Sequence, residues 1–456
     1  MIAYAPSYLN LINRAEELAS EKQFEEAEAL YREAAENQGL DLDELHERGV
    51  TFMHNGEFED ASYPLLQAYD ANPVDLSLIL SLLRLGLLSQ NEEQALMFSE
   101  RLIERNAGHA EGRALCGLAY ELQGDLERAY EELELAMQMD PTSFVASYNY
   151  GRLMFEDKVY PAAIEALKKA VLMNPDDADA RYLLAASNRE LGQFDDAILE
   201  MTIAIELAPE ESEMHLFYAE LLVDADKLDD VVYHIEKALE YTDPDVAMLE
   251  RASFICLHGN LFDAAANYTI DLLEKVPDYQ RGWLNLSLFH MASDRMEESE
   301  KAVDIAIELD PDDWEAHFFL GNLYRNTSRY DQSEASYLRA FALAAPDDAY
   351  KPVGNLGVAL MERAVLRQGE GAEQSADDTR KAIEYLEQAV SLSPSGEFRF
   401  HYNLALAYAS VEEDFRSLPL LKEILSQAPK DSEEFDAARE MLDAIVGREL
   451  HEESPA

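Results

Sequence analysis

Along most of the chain, apolar residues return every three or four positions with charged residues between them. Ile164, Leu167, Ala170 and Val171 form one such set, with Lys168 and Lys169 lying off it. That spacing puts the apolar side chains on one stripe of an α-helix. The stripes are interrupted at a regular interval. Gly39, Pro73, Ala107, Pro141, Pro175 and Pro209 stand 34 residues apart, and Pro244, Pro277, Pro311 and Pro346 follow after 35, 33, 34 and 35. Pro394 comes 48 residues later and Pro429 another 35. With each landmark as position 32, the chain divides into twelve units, one of them carrying a long insertion.

Small residues recur at fixed offsets within these units. Position 8 is small in eleven of twelve, including Ala15, Gly49, Gly117, Gly151, Gly321 and Gly357, with Leu83 the exception. Position 20 is Ala27, Ala61, Ala95, Ala129, Ala163 and Ala197 in the first six units. Two helices that cross closely need such side chains where their backbones approach, so each unit is predicted to be a helix pair. Proline at position 32 ends the second helix. The aspartates behind it, as in Asp176-Asp177 and Asp312-Asp313, cap the next first helix. Gly56, Gly124, Gly192 and Gly259 fall between paired helices, where a left-handed turn residue is expected.

The motif Cys116-Gly117, Tyr120, Ala129, Leu133, Ala136, Pro141 resembles the tetratricopeptide repeat. So do Trp283, Leu286, Ala306, Pro311 and Leu320-Gly321, Tyr324, Tyr337, Ala340. The resemblance covers about residues 8–429 and is to the multi-repeat proteins of bacterial type. It implies an all-α fold: a right-handed α-solenoid of about twelve tetratricopeptide helix pairs with first helices lining a concave groove. Residues 1–429 are then the superhelix, with an insertion at about 364–381. Residues 430–450 read as one amphipathic capping helix and 451–456 as a flexible tail. Each unit buries its apolar face only against its neighbours.

Charge narrows the partners. Asp and Glu number 92 against 36 Lys and Arg, a formal net charge of −56. The excess is spread along the chain: residues 1–200 carry −24 and 201–456 carry −32. A surface so acidic disfavours direct nucleic-acid binding and adhesion to anionic membranes. The longest apolar patch, Leu76–Leu88, is broken by Ser81, Arg84 and Gly86 and falls short of a membrane helix. The start of the chain lacks a signal-peptide pattern, and Cys116 and Cys256 are too few for a disulfide framework, so a cytoplasmic setting is expected. The low lysine count of 12 is compatible with adaptation to a salty interior.

Signatures of catalysis are missing. Gly369-Glu370-Gly371 lacks the strand and helix of a phosphate loop, and His46-Glu47 is not followed by the second histidine of a zinc motif. The acidic pairs read as helix caps rather than calcium ligands. No enzyme activity, cofactor or metal is therefore expected.

In the family resembled, position 6 faces the groove. Here it is Asn13, Asn149, Asn285, Asn355 and Asn403 in five of twelve units, although asparagine totals only 17 residues. A carboxamide both donates and accepts, and so can match a peptide backbone without reading its side chains. Over the inward positions the first eight units sum to −9 and the last four to +2, where Arg281, Arg325, Lys351 and Arg399 oppose Glu315 and Glu362. Asn322, Asn355 and Arg399 also match positions where some family members hold a terminal carboxylate, while Phe318 and Asn403 depart from that pattern. The expected peptide-binding groove is thus Asn285, Asn322, Asn355, Asn403, Arg281, Arg325, Lys351 and Arg399, with Asn13, Asn149 and Arg152 as lesser candidates. Leu284, Phe318, Phe319 and Tyr402 could add apolar contact.

The insertion GEGAEQSADD, residues 369–378, has no apolar face and is expected to be a flexible loop, with the second helix restarting at Thr379. The function expected is a non-enzymatic scaffold binding a partner protein or extended peptide. The alternatives are an acidic holding chaperone for a basic client and a regulatory subunit of a separately encoded enzyme such as a transferase.

Overall fold

The computed structural model describes residues 6–367, 372–430 and 432–452. Among them the regular structure is all helical, with 25 α-helices and one short 3-10 turn. The chain divides into two compact units, Met1–Asp230 and Val231–Ala456.

The first unit holds α1 (Pro6–Ser20), α2 (Phe24–Glu36), α3 (Leu42–His54), α4 (Phe58–Ala71), α5 (Leu76–Leu88), α6 (Glu92–Asn106), α7 (Ala110–Gln123), α8 (Leu126–Met139), α9 (Phe144–Glu156), α10 (Tyr160–Met173), α11 (Ala178–Glu190), α12 (Phe194–Leu207) and α13 (Ser212–Asp224). The 3-10 turn Leu228–Asp230 closes it. The second holds α14 (Val231–Tyr241), α15 (Val246–His258), α16 (Phe262–Lys275), α17 (Gln280–Ala292), α18 (Met296–Leu309), α19 (Trp314–Asn326), α20 (Tyr330–Leu343), α21 (Tyr350–Arg367), α22 (Ala372–Leu392), α23 (Arg399–Ser410), α24 (Asp414–Gln427) and α25 (Glu433–Glu452). Within each unit successive helices pair, α7 with α8 and α19 with α20 for example, and first helices of adjacent pairs touch. Each unit is a solenoid of stacked helix pairs.

The small residues sit where the helices cross. A Cβ added at Gly117 would lie 2.7 Å from Leu133 Cγ and 3.1 Å from the Ala129 carbonyl oxygen. Ala27, Ala61, Ala129 and Ala163 have no exposed surface. The exception at Leu83 has a local cause. In that pair the close approach moves three residues on, to Gly86, where an added Cβ would stand 2.7 Å from the Ala95 backbone nitrogen.

The aspartates cap as the sequence suggests. Asp177 Oδ1 accepts from the Ala180 amide at 2.8 Å, and Asp313 Oδ1 from the Glu315 amide at 2.9 Å. The turn glycines need one correction. Gly56, Gly124 and Gly192 have φ of +76°, +83° and +69°, but Gly259 has φ −80° and Asn260 takes the left-handed place at +54°. The left-handed residue stands two places before the second helix in each of these turns, and Gly259 precedes that register by one.

The insertion also differs from expectation. α22 starts at Ala372, not Thr379, so residues 372–378 are helical; Gly369, Glu370 and Gly371 lie outside the described residues. Polar side chains take the place of an apolar stripe. Ser375 Oγ donates to the Ala364 carbonyl at 2.8 Å, and Asp378, 2% exposed, is held by Arg363 and Arg367 of α21. A charged group can be buried when it is paired in this way.

At the other end α25 lays Ala438 and Ile445 against Ala405, Leu421 and Ile424. His451 and Glu452 belong to α25, and the rest of the expected tail lies outside the described residues.

Candidate peptide-binding face

Four first helices of the second unit, α17, α19, α21 and α23, lie side by side in that order. They carry all eight principal candidates: Arg281 and Asn285 on α17, Asn322 and Arg325 on α19, Lys351 and Asn355 on α21, Arg399 and Asn403 on α23.

Two asparagines meet. Asn355 Nδ2 donates to Asn322 Oδ1 at 3.0 Å, joining α21 to α19. The same oxygen accepts the Tyr337 hydroxyl of α20 at 2.7 Å. Asn285 and Asn403 are partly exposed, and their side-chain amides make no hydrogen bond among the described residues.

The cations are less free than their number suggests. Arg281 Nη1 reaches Glu315 Oε2 at 2.6 Å, and Arg325 Nε stands 3.8 Å from Glu362 Oε2. Burial raises the Glu362 carboxyl pKa, with Arg325 opposing. Lys351 Nζ donates to Asp348 Oδ1 at 2.7 Å, a hydrogen bond that raises its pKa. The same ammonium lies 5.6 Å from the centre of the Trp314 ring and 5.8 Å from that of Tyr350. Arg399 differs. It is exposed, stacks 4.4 Å over Phe400, and has no ion pair among the described residues. The positive balance counted along the sequence therefore reduces to one available guanidinium.

In the first unit, Asn149 turns its amide onto its own helix, donating to the Val145 carbonyl at 2.8 Å. Arg152 is spent on Glu121 at 2.6 Å and Glu156 at 2.7 Å. Asn13 is exposed on α1. Of the apolar candidates, Leu284 is 2% exposed and belongs to the core. Phe319 packs partly against that same core cluster, and Tyr402 against the one beneath α25. Phe318 lies 6.0 Å from the ring centre of Trp314 and 5.9 Å from that of Tyr337. Among the described residues no three His, Cys, Asp or Glu side chains gather to hold a metal, and no helix is long and apolar enough to cross a membrane.

The sequence reading took Tyr337 only as a repeat-motif residue, because an aromatic at its position reads as core. The available signal was its company: a glycine at 321, an asparagine at 322, and a tyrosine where most units hold an aliphatic residue.

Tetratricopeptide repeat models match residues 120–187, 258–313, 290–349 and 374–395. These stretches of the chain are tetratricopeptide repeats. Among curated relatives this repeat protein is 24% identical over 275 residues to the bovine "BBSome complex member BBS4", covering 52% of the chain and 53% of that protein. It is 25% identical over 199 residues to "Hsp70-Hsp90 organizing protein 1" of Glycine max, covering 41% of the chain and 33% of that protein. The repeat chain thus spans about half the length of the first of these relatives and about a third of the second. Solved structures similar to it include yeast Tom70, with TM-score 0.42, 15% identity and coverage of 90% and 97%. Another is MamA from Desulfovibrio magneticus RS-1, with TM-score 0.34, 26% identity and coverage of 36% and 94%.

Proposed function

We propose that this tetratricopeptide repeat chain is a protein-interaction scaffold that holds an extended segment of a partner protein along the α17–α19–α21–α23 face. One observation carries the reading: the first helices α17, α19 and α23 carry the partly exposed Asn285, Asn322 and Asn403, the buried Asn355 of α21 is joined to Asn322, and the exposed Arg399 at the end of the row has no ion pair among the described residues. Carboxamides on neighbouring first helices, about 8–10 Å apart, can meet about every third peptide group of an extended chain. Arg399 can add a charge-assisted hydrogen bond to a carboxylate and so set the direction of the segment. The relatives named for the Hsp70-Hsp90 organizing protein and the BBSome complex support a role in assemblies.

The test is affinity capture from the native host with mass spectrometry. Wild type is run beside a variant with Asn285, Asn355, Arg399 and Asn403 changed to alanine. Partners that disappear with the variant, while its Tm and helicity hold, support the face. Recovery of the same partners at the same level refutes it.

A further inference from the structure

A free carboxamide offers a donor and an acceptor, but around Asn322 the roles are divided. Its Oδ1 receives the Tyr337 hydroxyl at 2.7 Å and Asn355 Nδ2 at 3.0 Å. A carbonyl oxygen has two lone pairs, and both are occupied. The Nδ2 hydrogens have no acceptor among the described residues, and the side chain is half-buried.

Tyr337 decides the orientation. It has no exposed surface, and burial pushes its hydroxyl up to about 12, so it keeps its proton at neutral pH. A buried phenol proton needs an acceptor. Turning the Asn322 amide over would take its oxygen away from both the phenol proton and the Asn355 N–H group that now use it. The ring reaches this place because residue 321 is glycine: an added Cβ would stand 2.6 Å from Tyr337 Cδ1. A leucine, as in five of the twelve units, would pack here but could not hold the amide.

We propose that Tyr337 is a positioning residue that fixes Asn322 as a donor toward the first-helix face, so that the ligand group met there is an acceptor, a main-chain carbonyl of an extended segment. The inference rests on the peptide-binding reading and adds its polarity. Asn322 is the specificity-determining contact and Tyr337 acts through it.

The test uses the full chain labelled with [15N]asparagine and, as probe, N,N-dimethylacetamide, which mimics a peptide carbonyl and can only accept. The Asn322 amide pair is recognised by its loss in Asn322→Ala. In wild type the probe should move that pair downfield. In Tyr337→Phe, which keeps the ring and frees the amide to turn, the response should be clearly smaller. Asn322→Asp keeps an oxygen for Tyr337 and Asn355 but replaces the donor by an acceptor. It should retain Tm and weaken binding of the captured partner roughly tenfold, while Tyr337→Phe weakens it roughly two- to tenfold. An Asn322 pair that ignores the probe, or that responds equally in wild type and Tyr337→Phe, overturns the proposal. The two readings fail separately. A partner that needs Asn285, Asn355, Arg399 and Asn403 while the Asn322 amide stays silent refutes only the polarity. A responsive amide with partners indifferent to all four refutes only the peptide-binding reading.

Discussion

Arg363 grips Asp378 with two nitrogens, Nε at 3.1 Å from Oδ2 and Nη2 at 2.7 Å from Oδ1, and both side chains are nearly out of water. Arg363 also binds Asp331 and Glu334 of α20 at 2.6 and 2.8 Å, so one side chain ties α21 to α20 and α22. Removing one partner leaves a buried charge with fewer partners: Arg363 keeps Asp331 and Glu334, and Asp378 keeps Arg367. Asp378→Asn or Arg363→Met should therefore destabilise the second unit by about 1–3 kcal/mol. The double change Arg363→Met with Asp378→Leu should cost much less. Hydrogen exchange across residues 372–380, with chemical denaturation, checks both.

The helix pairs were legible because the same compromise is solved many times over, so a small residue at one offset is corroborated by the next copy. The Arg363–Asp378 clasp was not. It lies in an insertion with no counterpart in other units, and a segment lacking an apolar stripe reads as loop unless its polar residues are known to be paired. The candidate face was half legible. Position 6 picked out Asn285, Asn355 and Asn403, but which cations remain available depends on carboxylates such as Glu315, 34 residues from Arg281, and Asp348, three residues before Lys351. Distances between helices decide that, not composition.

Close approaches should rank by what stands in the way. At Gly321 an added methyl meets the Tyr337 ring, whereas at Gly86 it meets the Ala95 backbone at 2.7 Å. A ring can tilt slightly; a helix must move. Gly321→Ala should cost about 1–3 kcal/mol and Gly86→Ala more than that. Urea denaturation monitored by circular dichroism orders the two.

His290 gives the second unit an acid-sensitive element. It is 7% exposed and its Nδ1 has no hydrogen-bond partner among the described residues. Burial lowers its pKa below 6.5, Arg295 adds to that, and Glu298 and Asp263 oppose. The unfolded chain therefore binds the proton more readily than the folded one. The stability this residue contributes is present above about pH 6.5 and is lost as pH falls toward the lowered value. Tm measured between pH 7.5 and 5.5 should fall less in His290→Leu than in wild type.

Charge at the candidate face should be unequally sensitive to substitution. Arg281 is exposed and already engaged with Glu315, so its loss removes a surface pair of small worth. The Glu397 carboxylate accepts from the Arg399 backbone amide, while the Arg399 guanidinium has no ion pair among the described residues and can give its charge to a ligand. With a captured partner segment titrated calorimetrically, Arg399→Ala should weaken binding about tenfold and Arg281→Ala by less than about threefold. Raising ionic strength should reduce the wild-type affinity only modestly, because most contacts are amide hydrogen bonds and a single guanidinium carries the charge. A steep loss with salt, equal in wild type and Arg399→Ala, would point instead to a basic client held by the acidic surface.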